Sequence, residues 1–279
     1  MNYRHAFHAG NFADVFKHAI LSRILVYLMR KDAPLRYLDT HAGIGRYDLK
    51  ALKADRTGEW RDGIARFRDA KLPAAAAALL KPWLDAVGPL DGEGRPVRLY
   101  PGSPALAQAL LREQDKLTLC ELHPEDMRDL VKRMGRDGRL RIVEIDGYTA
   151  LKAYVPPPER RGLVLVDPPF EARDEFDRMV NVFVEANARW PTGTYAFWYP
   201  MKSMRAGEAF AKNLRRVGAE KVLRLELWVD AVEAEGPLAG SGLVIVNPPY
   251  VLEEEARVIL PALKGLLARG PRAGMWVEG

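Results

Sequence analysis

Apolar residues near the start of the chain recur at the spacing of one buried helical stripe. Between Phe12 and Met29 they fall at i, i+3 and i+4 positions, and Asn11 stands where it can cap the first turn. Four residues interrupt the stripe: Asp14, Lys17, His18 and Arg23. The pattern predicts a buried helix, and its charges argue against a membrane span.

Seven short apolar runs further along the chain predict the strands of one sheet. These runs are residues 35–39, 117–121, 141–145, 163–167, 194–199, 221–229 and 243–247. Helical patterns lie between most of these runs, at 103–112, 123–134, 171–189 and 205–217, but none lies between the last two runs. We therefore predict an α/β fold with a doubly wound, mostly parallel sheet and an antiparallel pair at one edge.

Residues 48–100 do not follow this alternation. They contain charged segments, five consecutive alanines at 74–78, and a loop rich in glycine and proline. We expect a mostly helical insertion between the first two strands of a single domain that spans residues 1–279. Its basic residues form either a surface that faces a nucleic acid or a solvated helix face: Lys53, Arg56, Arg61, Arg66, Arg68 and Lys71.

Composition changes this picture only slightly. Lys and Arg number 42 against 37 Asp and Glu, giving a net charge of +5 that favours a polyanionic partner only mildly. Cys120 is the single cysteine, so no intrachain disulfide can form and a reducing compartment is expected. The first ten residues are polar and aromatic, unlike a secretory leader, and we expect a cytoplasmic protein without a membrane segment.

Polar residues follow the first four predicted strands, where ligands of such sheets bind. They are Asp39, His41, Gly43 and Gly45 after the first, Glu121 after the second, Asp146 and Gly147 after the third, and Asp167 after the fourth. The glycine turn can approach a ligand closely and leave amides free for an anion. It lacks the third glycine of a dinucleotide fingerprint, which excludes an NAD enzyme.

The second and third strand ends are suited to an adenosine. Glu121 is placed to accept hydrogen bonds from both ribose hydroxyls, although a solvated residue at a strand end is the alternative. Asp146 can accept from the adenine amine while the amide of Gly147 supports the ring edge, and a simple Asp-Gly turn is the alternative there. Three polar strand ends in order favour the binding interpretation.

The segment DPPF at 167–170 carries the chemistry of a reaction at an exocyclic amine. Such an amine is a poor nucleophile because its lone pair is delocalised into the purine. The Asp167 carboxylate and the Pro168 carbonyl can accept from its two N–H bonds, and the prolines hold these acceptors in place. Phe170 offers a flat face to the base. Asp167 can also take the proton that the amine nitrogen loses after it has accepted a methyl group.

A second segment of the same kind occurs at 247–250, with the sequence NPPY. It follows the seventh predicted strand, in the expected edge hairpin, whereas Asp167 follows the fourth. We assign catalysis to Asp167 and a structural role to Asn247. This choice depends on strand order alone, because the two segments are equally well formed.

The order of these segments resembles the RlmJ family of 23S rRNA adenine-N6 methyltransferases. The matching segments are YRHAFHAGN at 3–11, LDTHAGIGRY at 38–47, YPGSP at 100–104, ELHP at 121–124, DG at 146–147, DPPF at 167–170, WYP at 198–200 and NPP at 247–249. They cover almost the full length of the chain.

The resemblance implies a class I (Rossmann-like) methyltransferase with a small helical insertion. It implies a monomer that uses S-adenosyl-L-methionine and acts on protein-free 23S rRNA. It assigns the methionine end of the cofactor to His18, His41, Ser103 and Asp167, and its ribose and adenine to Glu121, Asp146 and Gly147. Tyr3 would face the target base. Phe170 stands where tyrosine is commoner, which keeps the stacking face and loses a hydroxyl.

Other interpretations of these residues stay open. Without the family, His41 is a residue capping the turn and Ser103 a helix N-cap. His5, His8 and His18 suggest a metal, but no carboxylate or cysteine lies at ligand spacing, so we expect none. The rival functions are a DNA N6-adenine methyltransferase and a catalytically inert RNA-binding protein on the same scaffold. The lack of a target-recognition domain argues against the former, and intact Asp167 and Glu121 argue against the latter.

Overall fold

The structure is a computed structural model that describes residues 5–51 and 56–279, so the predicted substrate contact Tyr3 and the basic Lys53 lie outside it. Its helices are α1 (Phe12–Leu28), α2 (Ala74–Val87), α3 (Ser103–Leu110), α4 (Pro124–Met134), α5 (Gly147–Tyr154), α6 (Glu175–Arg189), α7 (Ala206–Arg216) and α8 (Leu252–Leu267). Its strands are β1 (Arg36–Asp39), β2 (Arg46–Tyr47), β3 (Tyr100–Pro101), β4 (Lys116–Glu121), β5 (Leu140–Glu144), β6 (Gly162–Val166), β7 (Thr194–Pro200), β8 (Val222–Trp228), β9 (Gly240–Val246) and β10 (Gly274–Glu278).

The main sheet has eight strands in the order β10-β8-β9-β7-β6-β1-β4-β5. The pairs among β5, β4, β1, β6 and β7 are all parallel, while β9 runs antiparallel to both of its neighbours and β10 runs antiparallel to β8. The predicted α/β fold with a mostly parallel, doubly wound sheet is confirmed. The chain order reverses around β1, which defines the switch point where such folds bind ligands.

The number of strands differs from the prediction. The seven predicted strands are present, but β10 adds an eighth that the prediction missed. The predicted antiparallel pairing of β8 with β9 is confirmed, with β9 next to β7 and β10 outside β8. The edge is formed by β10, whose Met275 and Val277 lie opposite Leu227 and Leu225 of β8.

The direction of β9 decides where the second proline segment lies. Val246, the last residue of β9, pairs with Tyr195 near the start of β7. Asn247 therefore lies at the amino end of β7, whereas Asp167 follows the carboxyl end of the parallel neighbour β6. The side-chain nitrogen Nδ2 of Asn247 donates to the carbonyl oxygens of Pro191 and Gly193 at 2.8 Å each. These bonds hold the loop before β7, at the end of the sheet opposite to the carboxyl ends of the parallel strands.

The first helix is buried on nearly every side. Its predicted cap is confirmed, because Oδ1 of Asn11 accepts from the amide of Asp14 at 3.0 Å. The helix packs against the sheet, α2, α3 and α8, so even its interrupting polar residues are buried. Arg23 forms a two-pronged ion pair with Glu255 of α8, at 2.8 and 2.9 Å.

The described part of residues 48–100 lies over helix α1. It contains α2 and two short 3-10 helices at Glu59–Asp62 and Ile64–Phe67. The large buried rings of Trp60, Phe67 and Trp83 belong to the same apolar core as α1. The small β2–β3 pair joins the two ends of the segment. Its description as an insertion into a single domain stays a prediction.

Candidate active site

A cleft of about 460 Å³ opens at the carboxyl ends of the parallel strands, beside the switch point. It lies between α1, the turn after β1, the start of α3, the end of β4 and the loops after β6 and β7. It brings together most of the predicted site residues: His18, His41, Gly43, Ser103, Glu121, Asp167, Pro168 and Phe170. Residues distant in the sequence thus form one site.

Glu121 holds the glycine turn from the end of β4. Its Oε2 accepts from the amide of Gly43 at 2.9 Å, and its Oε1 accepts from the amide of His123 at 2.8 Å. Gly43 has a φ of +59°, and a Cβ there would lie 2.3 Å from the Tyr47 hydroxyl, so the turn requires glycine. Burial raises the pKa of Glu121 above its ordinary value. The carboxylate thus joins the end of β4 to the glycine turn.

A second carboxyl group, Asp39, lies buried behind the turn. Its Oδ2 accepts from the hydroxyls of Tyr37 and Ser103, at 2.7 Å each. Burial raises the pKa of Asp39 to about 6. The interpretation of Ser103 as an N-cap is wrong, because α3 begins at Ser103 itself and Gly102 is the cap residue. The Ser103 hydroxyl instead fixes Asp39 below the floor of the cleft.

Two histidines of the cleft are held neutral by burial. His18 is 1% exposed, and burial lowers its pKa to about 3. Burial likewise lowers the pKa of His41 to about 4. Nδ1 of His18 lies 2.9 Å from the Tyr100 hydroxyl, and Nδ1 of His41 lies 2.8 Å from Oγ1 of Thr40. Neutral imidazoles can serve either as donor or as acceptor toward a polar ligand.

Burial of His18 should make the protein less stable in mild acid. Its pKa is about 3 in the folded protein and 6.5 in the unfolded chain. The unfolded chain therefore binds the proton first, and stability decreases as the pH falls below that unfolded value. This group alone should cost about 2 kcal/mol at about pH 5. Urea unfolding at neutral and acidic pH measures the effect. His18→Gln should reduce the loss by that amount, and an equal loss in this variant would contradict the assignment.

Asp146 and Gly147 lie beside the cleft and do not line it. Asp146 is the N-cap of α5, where its Oδ1 accepts from the amide and the hydroxyl of Thr149 at 2.9 and 3.0 Å. Gly147 packs so closely on the glycine turn that a Cβ would lie 2.4 Å from the Thr40 carbonyl oxygen. Their predicted contact with a cofactor adenine therefore stays a prediction.

Asp167 forms an ion pair with a lysine of α1. Nζ of Lys17 lies 2.5 Å from Oδ2 of Asp167 and 3.2 Å from Oδ1 of Asp14. The Lys17 side chain is 5% exposed and that of Asp167 is 13% exposed. The ammonium also lies 5.3 Å from the centre of the Trp198 ring. The lysine thereby fixes the direction of the carboxylate at the edge of the cleft.

Phe170 adopts a backbone conformation that bulky residues rarely take. Its φ is 52°, in the left-handed region. The ring lies edge-on to Phe176 and Trp198, at centroid distances of 5.3 and 5.9 Å. These contacts hold it in the wall of the cleft together with Pro168 and Pro169. The loop after β6 thus presents a carboxylate and a flat aromatic surface to the same space.

Sequence reasoning missed the roles of Asp14, Lys17 and Trp198 in the site. The signal for the first two was the interruption of the apolar stripe in α1. Asp14, Lys17 and His18 stand at i, i+3 and i+4, and such residues share one face of a helix. Charges on one face of an otherwise buried helix indicate a polar site beneath it.

The remaining histidines of the cleft have carboxylate partners that sequence spacing did not reveal. Nε2 of His5 lies 3.0 Å from Oδ2 of Asp14, and Nδ1 of His8 lies 2.9 Å from Oε1 of Glu59. Within residues 5–51 and 56–279, no group of three or more side chains could hold a metal ion. In the same described part of the chain, no helix is long and apolar enough to cross a membrane.

The arrangement can bind a flat ring that carries an N–H donor. The Asp167 carboxylate and the Pro168 carbonyl are acceptors on a stiff loop, and Phe170 supplies the aromatic surface. Glu121, His18 and His41 line the same cleft and present polar groups to a ligand there.

Comparison with known proteins agrees with this geometry. Residues 32–278 match the family model described as "Ribosomal RNA large subunit methyltransferase D, RlmJ". The chain is 42% identical over 268 residues to ribosomal RNA large subunit methyltransferase J of Escherichia coli, covering 96% of this chain and 94% of the relative. It is 41% identical over 278 residues to the protein of that name from Haemophilus influenzae, covering 99% and 97%. A crystal structure of a Legionella pneumophila protein is 36% identical, covers 97% of this chain and 98% of its own, and superposes with a TM-score of 0.85.

Proposed function

The chain belongs to the RlmJ family of ribosomal RNA large subunit methyltransferases, and we propose from its site that it methylates the exocyclic N6 amine of an adenine in 23S rRNA, using S-adenosyl-L-methionine. One observation carries the choice of the amine. The Asp167 carboxylate, fixed by Lys17 at 2.5 Å, stands beside the Pro168 carbonyl and the Phe170 ring in one cleft. Two acceptors next to an aromatic surface match an amine on a flat base.

The side of the cleft near the glycine turn fits the cofactor. Glu121 accepts the backbone amides of Gly43 and His123 on its two oxygens and would also accept a hydrogen bond from a ribose hydroxyl. His18, His41 and Ser103 would hold the methionine end, and Asp146 would accept from the adenine amine through Oδ2. When bound, the cofactor supplies an electrophilic methyl group.

Glu121→Ala should weaken cofactor binding strongly. The variant loses a carboxylate that would bind ribose hydroxyls and that also holds the amide of Gly43. Loss of a charge-assisted contact should cost about 1.5–3 kcal/mol of binding free energy. Calorimetry with S-adenosyl-L-methionine measures it. Glu144→Ala, on the neighbouring strand β5 and outside the cleft, is the control and should bind like the wild type. Unchanged affinity in Glu121→Ala would refute the ribose contact.

The residues after β6 prepare the amine for attack. Asp167 and the carbonyl of Pro168 would accept from its two N–H bonds, which draws the nitrogen toward tetrahedral geometry and localises its lone pair. Lys17 sets the direction of the carboxylate before the base arrives, so little reorganisation accompanies the reaction. Asp167 then takes the proton that the product ammonium loses. The reaction depends on positioning more than on a strong base.

The proposal also includes the substrate, the oligomeric state and the compartment. We propose that the enzyme is a monomer that acts on ribosomal RNA in the cytoplasm. The names of the relatives support the RNA, and the net charge of +5 is compatible with a polyanion. Several insertion cations are engaged in ion pairs on the surface, such as Arg66 with Asp62 and Arg68 with Asp69. These pairs weaken the case for the insertion as the main RNA-binding surface.

The decisive test is methylation of rRNA from cells that lack the gene, with the modified nucleoside identified by mass spectrometry. N6-methyladenosine in 23S rRNA is the expected product. A methyl group on another base or on another atom of adenine would overturn the assignment of Asp167 and Pro168. Failure to modify any rRNA would favour the inert RNA-binding protein.

A further inference from the structure

Asp14 links the start of the chain to the ion pair of the catalytic carboxylate. Its Oδ1 lies 3.2 Å from Nζ of Lys17, and its Oδ2 accepts from the amide of Gly10 at 2.9 Å and lies 3.0 Å from Nε2 of His5. The side chain is 1% exposed. Burial opposes its ionisation, but the electrostatic attraction and hydrogen bond of His5 and the ammonium of Lys17 hold the pKa of Asp14 well below its ordinary value. An ionised carboxylate is thus buried next to the cleft.

The position of Lys17 depends on two carboxylates. Its ammonium lies between Asp14, one turn earlier on the same helix, and Asp167 on the loop after β6. A lysine side chain is long and flexible, so a single partner restricts it weakly. The second partner is on a rigid, buried helix and restricts the ammonium to one place. The direction of the Asp167 carboxylate then follows from the position of that ammonium.

We propose that Asp14 is a positioning residue of the methyl-transfer reaction, which holds the Lys17 ammonium against Asp167 and ties His5 to the same cluster. This inference rests on the proposed function and adds a residue whose buried carboxylate contacts Lys17, His5 and the amide of Gly10. Asp14 acts through Lys17. Its charge should therefore affect the turnover rate more than the binding of either ligand.

The first experiment compares two substitutions of Asp14 in the full-length protein. Asp14→Asn keeps the shape and the bond from Gly10 but loses the charge, and kcat on 23S rRNA should fall about 10- to 100-fold, as for a lost charge-assisted contact. Its KM for RNA and its affinity for S-adenosyl-L-methionine should change by less than about threefold, which is close to the error of such measurements. Asp14→Glu keeps the charge and should retain more activity than Asp14→Asn. If Asp14 had a purely structural role, Asp14→Glu would retain less activity than Asp14→Asn, because the longer glutamate side chain fits the buried position less well.

A matched control is provided by the other buried ion pair of α1. Glu255→Gln breaks the pair with Arg23, outside the cleft, and should lower the melting temperature while leaving kcat of the folded protein unchanged. Melting curves of all variants confirm that rates refer to folded protein. If Glu255→Gln lowers kcat as much as Asp14→Asn does, the effect is a general loss of helix stability and the proposal is wrong.

A double-mutant cycle with Lys17→Met tests whether Asp14 acts through the lysine. Asp14→Asn should have little further effect on kcat in the Lys17→Met background, because the ammonium through which Asp14 acts is already absent. Multiplicative losses would show that Asp14 acts independently of Lys17 and would overturn the proposal. Wild-type activity on rRNA is measured first, so that absence of any methylation counts against the proposed function and not against the role of Asp14.

Discussion

Asp167→Ala is expected to lower the rate of methyl transfer about 100- to 1000-fold, the size of effect seen when one preorganised polar group is removed from an active site. The carboxylate is the acceptor that the amine needs, and it is also the partner of Lys17 at 2.5 Å. Its removal leaves the lysine facing the base, where a cation repels the developing positive charge on nitrogen. Single-turnover transfer of a labelled methyl group to rRNA measures the loss.

The second proline segment supplies the control for this experiment. Asn247→Ala removes two hydrogen bonds to the loop before β7 and places alanine at a φ of 52°, so the variant should be less stable. Its transfer rate per folded molecule should nevertheless stay near that of the wild type, because Asn247 lies at the opposite edge of the sheet. Asn247→Gly, which tolerates this φ, separates the strain from the lost bonds. A large rate loss in Asn247→Ala with an unaffected Asp167→Ala would reverse the assignment.

Asp167→Asn adds a finer distinction. The amide oxygen can still accept a hydrogen bond from the amine, but it forms no ion pair with Lys17. An intermediate rate would mean that acceptance of the hydrogen bond and the charge contribute separately. A rate equal to that of Asp167→Ala would mean that the negative charge carries the whole effect.

Naked 23S rRNA, or a short hairpin from it, is expected to be methylated, with little or no transfer to duplex DNA. An adenine inside a double helix hides its amine, so the target must be unpaired or flipped out to reach Asp167 at the edge of the cleft. Phe170 offers a surface on which the base can stack, and stacking is worth about 1–3 kcal/mol per base. The remaining affinity should come from lysines and arginines on phosphates and should fall steeply with salt.

The comparison requires equal concentrations of RNA hairpin, single-stranded DNA and duplex DNA at one salt concentration, with labelled cofactor. Tyr3→Ala should slow transfer to the hairpin without weakening cofactor binding, as expected if this residue faces the base. Phe170→Leu keeps an apolar residue and removes the aromatic face, and it tests stacking separately. Equal turnover on RNA and duplex DNA would support the DNA methyltransferase alternative instead.

Much of the fold could be predicted because local patterns determine it. Helix α1 and its Asn11 cap follow from a 3.6-residue period and a favoured cap residue, and the seven strands follow from apolar runs bounded by turns. The order of those strands then predicted which polar residues share an edge. His41, Gly43, Glu121 and Asp167 lie around one cleft for that reason.

Tertiary structure alone decided the partners of these residues. Lys17 and Asp167 are 150 positions apart, and nothing in the local sequence indicates that their side chains meet. Ser103 looked like a helix cap, but the packing of α3 against β1 turns its hydroxyl to Asp39. The antiparallel direction of β9 beside β7 likewise depends on the whole sheet, and it places Asn247 away from the site. The periodicity of apolar residues indicates which side of a helix or strand is buried. Contacts between distant elements depend on strand direction, register and the closure of the whole core, which no single segment encodes.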